Sequence, residues 1–335
     1  MTECAERVTI TPHVAAVPII ELDDVYRARE AIAGRLHRTP TFTSASLSRL
    51  TGAEVHLKAE LFQRTGSFKP RGVLTKLASL TPEEKSRGVI GISAGNHAQA
   101  LAYCSALEGI DALLVMWQGA DESKRAATIG YGAAVHQDAR DPTEAFDVLA
   151  QLQRETGRTL VHPFDDLFTQ AGQGTVGLEL IEDVAADVVV VPIGGGGLIA
   201  GVATAVKGLR PSARVIGVEP ETSAAMKLAV EAGEPVAITP VSLADGLNAP
   251  FAGTHALAVV RERVDELVLV TESELEDAFH FLYGRAKLAV EGAGAASTAA
   301  LLAGKILHEQ DERVALVVSG GNVAPKTASA ILASR

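Results

Sequence analysis

The stretch DVVVVPIGGGGLIAG, Asp187–Gly201, narrows the folds open to this chain more than any other. Four consecutive valines present apolar side chains to both faces of an extended strand, which suits a parallel strand covered on both sides and not one with a wet face. Four consecutive glycines follow, and then a run of helical periodicity, so the chain passes from strand through a tight turn into a helix. The pattern recurs. GVIGIS, ALLVMW, TLVHPF, RVIGVEPE, ELVLVTE and RVALVVSGG read as further strands. NHAQALAYCSALEG, DESKRAATIGYG, DPTEAFDVLAQLQRETG, GLIAGVATAVKGL, ESELEDAFHFLYGRAKLA and GAASTAALLAGKILHEQ read as helices. Upstream, ELDDVYRAREAIAGRL predicts an amphipathic helix with Asp23 or Asp24 near its start. Alternation of this kind along the chain means an α/β fold with parallel sheets. At 335 residues two domains fit, and with no linker rich in Pro, Gly or Ser they need not be consecutive.

A net charge of −11 argues against a nucleic-acid surface and against anionic lipid. An anionic ligand would need a local site made of backbone N–H groups and a few placed side chains. Cys4 and Cys104 are too few for a disulfide framework or a cysteine zinc site. No apolar run reaches the length of a membrane span, and the first residues lack the basic-then-apolar pattern of a secretory signal. A cytosolic enzyme is the expectation.

Four places could carry chemistry. In Gly194–Gly197, glycines turn backbone N–H groups toward an anion, and the following helix start adds partial positive charge. The same residues also suit a tight strand–helix turn. In GISAGNHAQALAY, Ser93, Asn96 and His97 follow a strand's carboxyl end, where open α/β sheets bind ligands. Asn96 could reach a phenolic oxygen or cap a helix, and His97 could serve a ligand or sit buried. Ser319, in LVVSGGN, could bond a ring nitrogen, although alone it signals only a turn. Lys69, in TGSFKPRG, stands between Phe68 and Pro70, which suits the first turn of a helix beginning at Arg71. An unassisted lysine there would be solvated, whereas a desolvated one is a nucleophile. The four make sense together for pyridoxal phosphate, which carries an aldehyde, a phosphate, a phenolic oxygen and a pyridine nitrogen.

With these stretches in view, the sequence resembles the fold type II pyridoxal-phosphate enzymes, nearest the threonine and serine dehydratases and serine racemase. The likeness runs from His37 to Val323 through HRTPTFTSASLS, TGSFKPRG, SAGNHAQALA, HPFDDLFTQAGQGT, PIGGGGLIAG, GVEPE, ADGL and SGGN, in the family's order. It implies two open, twisted, mostly parallel sheets flanked by helices, as in tryptophan synthase β. A large cofactor domain would comprise residues 1–87 and 163–335, with an N-terminal arm over 1–20. A small mobile domain, residues 88–162, would close over the substrate.

The resemblance further implies that Lys69 holds the cofactor aldehyde and Phe68 lies beside its ring. Asn96 would bond the phenolic oxygen, Gly194, Gly195, Gly196, Gly197 and Leu198 the phosphate, and Ser319 the pyridine nitrogen. Ser93, Gly95, Asn96 and His97 would receive the substrate carboxylate. The implied reaction is β-elimination of a β-hydroxy amino acid, L-threonine or L-serine, to a 2-oxo acid and ammonia. Ala94 stands where the racemases carry a second serine, which disfavours racemisation by that route. Glu219 and Ser223 match two ligands of the racemases' divalent cation, but Ala225 replaces the expected aspartate, so a metal site lacks a ligand and a monovalent ion stays open. A homodimer follows by analogy. No C-terminal regulatory region is present, so feedback by isoleucine is not expected. The alternatives are a 3-hydroxyaspartate dehydratase, with Arg140 as a distant candidate for the extra carboxylate, an amino-acid racemase, and a non-catalytic cofactor-binding protein, which would require an idle Lys69.

Overall fold

The computed structural model describes residues 17–334, apart from the side chains of Pro142 and Thr143. Most of the expected N-terminal arm, with Cys4, lies outside the described residues. Residues 17–20 lead into the helix Leu22–Ile32, and Ile20 is buried against the core. The described strands are β1 (Thr41–Thr43), β2 (Glu54–Ala59), β3 (Val89–Ile92), β4 (Ala112–Trp117), β5 (Ala134–Ala139), β6 (Thr159–Leu160), β7 (Val188–Pro192), β8 (Arg214–Pro220), β9 (Glu266–Val270) and β10 (Arg313–Val318).

They form two sheets. The first has six strands in the order β1-β2-β10-β7-β8-β9, all parallel except the β1–β2 pair. The second has four parallel strands in the order β5-β4-β3-β6. The expected α/β class with two mainly parallel, helix-flanked sheets is therefore what the chain adopts.

The valine run explains itself at this level. Val189 and Val191 point into a cluster made with the helices Leu167–Asp183, Gly197–Leu209 and Thr254–Arg263. Val188 and Val190 point the other way, into a cluster with the helices Glu272–Phe281 and Gly292–Leu302. Each buried valine contributes about 1.5–3 kcal/mol of transfer free energy, so a polar residue on either face would be costly. The smaller sheet repeats the logic, with Val89, Leu114 and Met116 on one face and Ile90, Ile92 and Val115 on the other.

Both sheets reverse their strand order once. From β7 the chain adds β8 and β9 on one side, then returns to lay β10 on the other. From β3 it adds β4 and β5 on one side, then lays β6 on the other. Such reversals open a crevice at the carboxyl ends of the strands, where ligands bind in open α/β sheets.

Several local features depart from the sequence-based expectation, among them the following. The helix expected to begin at Arg71 begins at Lys69, with Pro70 in its first turn. The helix Leu167–Asp183, 17 residues long, was not foreseen. It contains Gly172, Gly174 and Gly177, which lower helical propensity but permit close packing. A Cβ at Gly172 would fall 2.4 Å from the Arg71 carbonyl oxygen. Strand β5 was not foreseen either, because AVHQDA is half polar and mostly part-exposed.

Candidate active site

Lys69 reaches the crevice because its loop is stitched to the turn after β10. Thr65 and Gly66 adopt left-handed backbone conformations, φ +59° and +73°. Ser67 forms a bridge with Gly320. The Phe68 N–H donates to the Ser319 carbonyl at 3.2 Å, and the Gly321 N–H to Gly66 at 2.9 Å. Lys69 and Ser319 follow adjacent strands, β2 and β10, and these bonds tie their loops together. The Lys69 Nζ donates to the Pro163 carbonyl at 2.8 Å and lies 5.2 Å from the centre of the Phe68 ring. Burial lowers its pKa to about 8, against the opposing pull of Glu291.

Pro163 follows β6, at the reversal point of the smaller sheet, and is held there by its neighbours. The His162 Nδ1 accepts the N–H groups of Phe164 and Asp165, at 3.3 and 2.8 Å. Burial lowers the pKa of His162 to about 4, so it accepts as a neutral ring. The Asp165 carboxylate in turn accepts the N–H groups of Thr254 and His255, both at 2.9 Å.

The glycine run follows β7, the neighbour of β10. Gly196 takes φ +96°, and the helix Gly197–Leu209 starts immediately after it. No backbone hydrogen bond among the described residues uses the N–H groups of Gly194–Gly197 as donors, and a helix leaves its first N–H groups unpaired in any case. Side chains are excluded as firmly as the N–H groups are offered. A Cβ at Gly195 would lie 2.3 Å from the Phe164 ring, and one at Gly197 2.9 Å from the Phe164 backbone. Phe164 thus couples the cradle to Pro163 and so to Lys69. Leu198 sends its side chain into the core and leaves its N–H at the helix start.

From the smaller sheet, Ser93 follows β3. Its Oγ accepts the Gly95 N–H at 3.0 Å, and the space beside the Gly95 Cα is open to at least 4 Å. Asn96 begins the helix Asn96–Glu108. Its side chain does not cap that helix: Nδ2 donates to Glu291 at 2.6 Å and Oδ1 accepts from Asn322 at 2.8 Å. The His97 imidazole is buried and bonded through Nε2 to the Val161 carbonyl at 2.8 Å. Burial, with Lys69 nearby, lowers its pKa to about 3. It is a neutral core ring, and its backbone N–H is what remains at the helix start.

Lys69, the glycine run, Ser319 and the Ser93–His97 loop are thus brought together. Glu219 is buried, its carboxylate accepting the N–H groups of Met226 and Lys227 at 2.7 and 2.9 Å. Burial raises its pKa to about 8. The Ser223 hydroxyl donates to the Leu247 carbonyl at 2.9 Å. Among the described residues no group of three or more His, Cys, Asp or Glu is arranged to hold a metal ion. Arg140 pairs with Glu144 at 2.9 Å on the exposed start of a helix.

The sequence profile described as pyridoxal-phosphate dependent enzyme matches residues 32–320. The chain belongs to this family. An L-threonine dehydratase of the catabolic type from Staphylococcus aureus strain USA300 is 44% identical over 320 residues, covering 94% of this chain and 92% of the relative. Among solved structures, a T.th. threonine deaminase is similar with TM-score 0.86 and 41% identity, covering 91% of this chain and 99% of that one. Maize serine racemase is similar with TM-score 0.89 and 36% identity, covering 92% and 96%.

The family's cofactor fits the residues present. An unpaired N–H cradle suits its phosphate, a desolvated amine its aldehyde, and the buried Ser319 hydroxyl its ring nitrogen. Sequence reasoning missed the residues that hold these groups in place: Pro163, Phe164, Glu291 and Asn322. Glu291 left a trace of its own, a lone charge inside the small and apolar run LAVEGAGAAS, while Pro163, Phe164 and Asn322 lie within the quoted stretches HPFDDLFTQAGQGT and SGGN without an assigned role.

Arg71 was missed too. Wholly buried two positions after Lys69, it donates from Nε to Glu60 at 2.8 Å and from Nη1 to Glu179 at 2.7 Å. Lys58, also wholly buried, donates to Glu179 at 2.8 Å. Arg71 and Lys58 with Glu60, Glu179 and Asp183, which lies 3.7 Å from the Lys58 Nζ, form one ion-pair cluster. It locks the helix that carries Lys69 to β2 and to the helix Leu167–Asp183.

Proposed function

We propose that this chain is a pyridoxal-phosphate-dependent dehydratase that converts L-threonine or L-serine to a 2-oxo acid and ammonia by β-elimination. The observation that carries the reading is the Lys69 amine, lowered to about 8 by burial, beside an unpaired glycine cradle, with an alanine at position 94 in the Ser93–His97 loop. The dehydratase and deaminase names of the relatives support the substrate class.

In this reading Lys69 would hold the cofactor aldehyde, with Phe68 beside the ring. The N–H groups of Gly194–Gly197 and Leu198 would bind the phosphate, the Asn96 amide the phenolic oxygen and the Ser319 hydroxyl the pyridine nitrogen. Bound there, pyridoxal phosphate supplies the electron sink that acidifies the amino acid's Cα–H. Ser93, Gly95 and the helix-start N–H groups of Asn96 and His97 bind the substrate carboxylate. The free Lys69 amine takes the Cα proton, and the Pro163 carbonyl orients its Nζ. The Lys69 ammonium so formed can return that proton to the β-hydroxyl, which leaves as water and restores the neutral amine. The water lost in elimination is regained when the enamine hydrolyses, so threonine yields 2-oxobutanoate and ammonia with no net change in water. Ser319 is neutral and holds no full positive charge on the ring, which favours elimination over transamination.

The four-stranded sheet lies within residues 89–160, which supports a small mobile unit over 88–162 closing on a large one made of 1–87 and 163–335. Lys124 of that unit pairs with Asp245 across the cleft. We further propose a homodimer, for which the exposed edge-to-face pair Phe42–Phe62 on the β1 edge offers an apolar surface. No described helix is long and apolar enough to cross a membrane, and a cytosolic location is the natural setting for this reaction.

The test is a 2-oxo acid assay across L-threonine, L-serine, both 3-hydroxyaspartate diastereomers and phenylserine. Threonine and serine should turn over fastest. A preference for 3-hydroxyaspartate would overturn the substrate assignment, and equal racemisation and deamination of serine would overturn the reaction type.

A further inference from the structure

One buried carboxylate in the wall of the site has no part in the reaction as proposed. Glu291 is 2% exposed and immediately precedes the helix Gly292–Leu302. Its N–H donates to the Gly320 carbonyl at 3.2 Å, beside Ser319. Its Oε1 accepts from the Asn96 Nδ2 at 2.6 Å, while its Oε2 is buried with no protein partner. Burying an acceptor and leaving it unmatched is costly, so a carboxylate in such a place calls for a purpose.

The chain of bonds has one polarity. The Asn322 Nδ2 donates both to the Thr65 carbonyl at 2.6 Å and to the Asn96 Oδ1 at 2.8 Å. That uses both of its N–H groups and leaves the Asn96 oxygen as acceptor. The Asn96 nitrogen must then face Glu291, and an acceptor-only oxygen there suits it. A flipped Asn96 would set two NH2 groups against each other on one side and two oxygens on the other. Held this way, Asn96 spends one N–H on Glu291 and keeps a second with no protein partner.

One missing side chain makes room for the pair. A Cβ at Gly320 would fall 2.2 Å from the Glu291 Oε1 and 3.3 Å from the Asn96 Nδ2. Asn96 belongs to the layer of the four-stranded sheet, whereas Thr65, Glu291 and Asn322 all come from outside residues 89–160. The orientation of Asn96 is therefore set from across the cleft.

The charged groups around Glu291 are Asp245, Lys124 and Lys69. Burial and Asp245 raise its pKa to about 7, against Lys124, the Asn96 bond and Lys69.

We propose that Glu291 is a positioning residue acting through Asn96: its Oε1 fixes the amide so that the second Asn96 N–H is presented to the cofactor's phenolic oxygen. This rests on the reading of Asn96 as the donor to that oxygen. Because the acceptor atom is what the role requires, glutamine can serve and alanine cannot.

The test is a double-mutant cycle read as the dissociation constant of pyridoxal phosphate from the holoenzyme by equilibrium dialysis, with the visible absorption of the bound cofactor as a second readout. E291A should weaken cofactor binding about 10- to 100-fold, the range for losing a hydrogen bond to a charged group, and should shift the visible band. E291Q should bind within about threefold of wild type, since its amide oxygen can still accept. N96A should weaken binding, and E291A added to N96A should weaken it no further. If E291A does not fold, E291D takes its place in the cycle, because the shorter side chain withdraws its oxygens from Asn96. Effects of N96A and E291A that multiply, or an E291Q as poor as E291A, would overturn the role of Glu291 while leaving the cofactor site intact. An N96A that binds the cofactor normally would overturn the Asn96 reading and this inference with it.

Discussion

The ammonium of Lys69 donates a 2.8 Å hydrogen bond to the carbonyl oxygen of Pro163. These two residues follow β2 and β6, strands of different sheets, so the bond ties together the segments that leave those two strands. A neutral carbonyl can orient an amine but cannot compensate its charge as a carboxylate would. This is why burial prevails over the distant Glu291 and draws the Lys69 pKa down to about 8.

Capture of the cofactor by the stripped protein should follow that ionisation. The neutral amine is the reactive form, so the rate should rise with pH and level off above about 8. With a pKa of about 8, about a tenth of the amine is neutral at pH 7, far more than for a solvated lysine. Stopped-flow visible absorbance across pH 6–10 is the measurement, and a rate still climbing at pH 10 would show an unperturbed lysine.

Gly195→Ala should damage the phosphate cradle selectively. Its Cβ would lie 2.3 Å from the Phe164 ring, so the turn must shift and its N–H groups with it. Binding of pyridoxal phosphate should weaken by about tenfold or more, while pyridoxal, which lacks the phosphate, should be affected little. Equal losses for both ligands would place the phosphate elsewhere.

Much of this arrangement was legible in the sequence, for identifiable reasons. The valines of β7 mark a two-faced buried strand by composition alone, and the glycines that follow mark a cradle. Strand β2 was hidden because Lys58 reads as a surface residue, and only the fold shows it wholly buried against Glu179. The helix Leu167–Asp183 was hidden because its glycines, needed for backbone contact with the helix bearing Lys69, argue against a helix when read locally. The contacts of Glu291 and Asn322 with Asn96 were out of reach for a different reason. Their partner, Asn96, is 195 residues from one and 226 from the other, and nothing local encodes a contact of that span.

Arg71→Met should test how the helix of Lys69 is anchored. Removing the guanidinium takes from Glu60 its ion-pair partner and leaves Glu179 the Lys58 ammonium. Breaking a buried pair in this way costs about 3–5 kcal/mol, to be read as a lower urea midpoint. A midpoint within error of wild type would show that the cluster contributes nothing net.

Ala94→Ser should return a hydroxyl to the carboxylate loop and raise racemisation of L-serine relative to deamination. Chiral chromatography of the serine left after partial turnover gives the ratio. An unchanged ratio would show that the alanine does not set the reaction type.

The central claim is that Lys69 is the residue that holds the cofactor, and borohydride reduction of the holoenzyme followed by peptide mass spectrometry tests it most directly. Reduction traps a carbon–nitrogen double bond as a stable amine. The account predicts one pyridoxyl-phosphate adduct, on the peptide containing Lys69, and none in Lys69→Ala. An adduct on Lys58, Lys124 or any other lysine, or none in the wild-type holoenzyme, would contradict it.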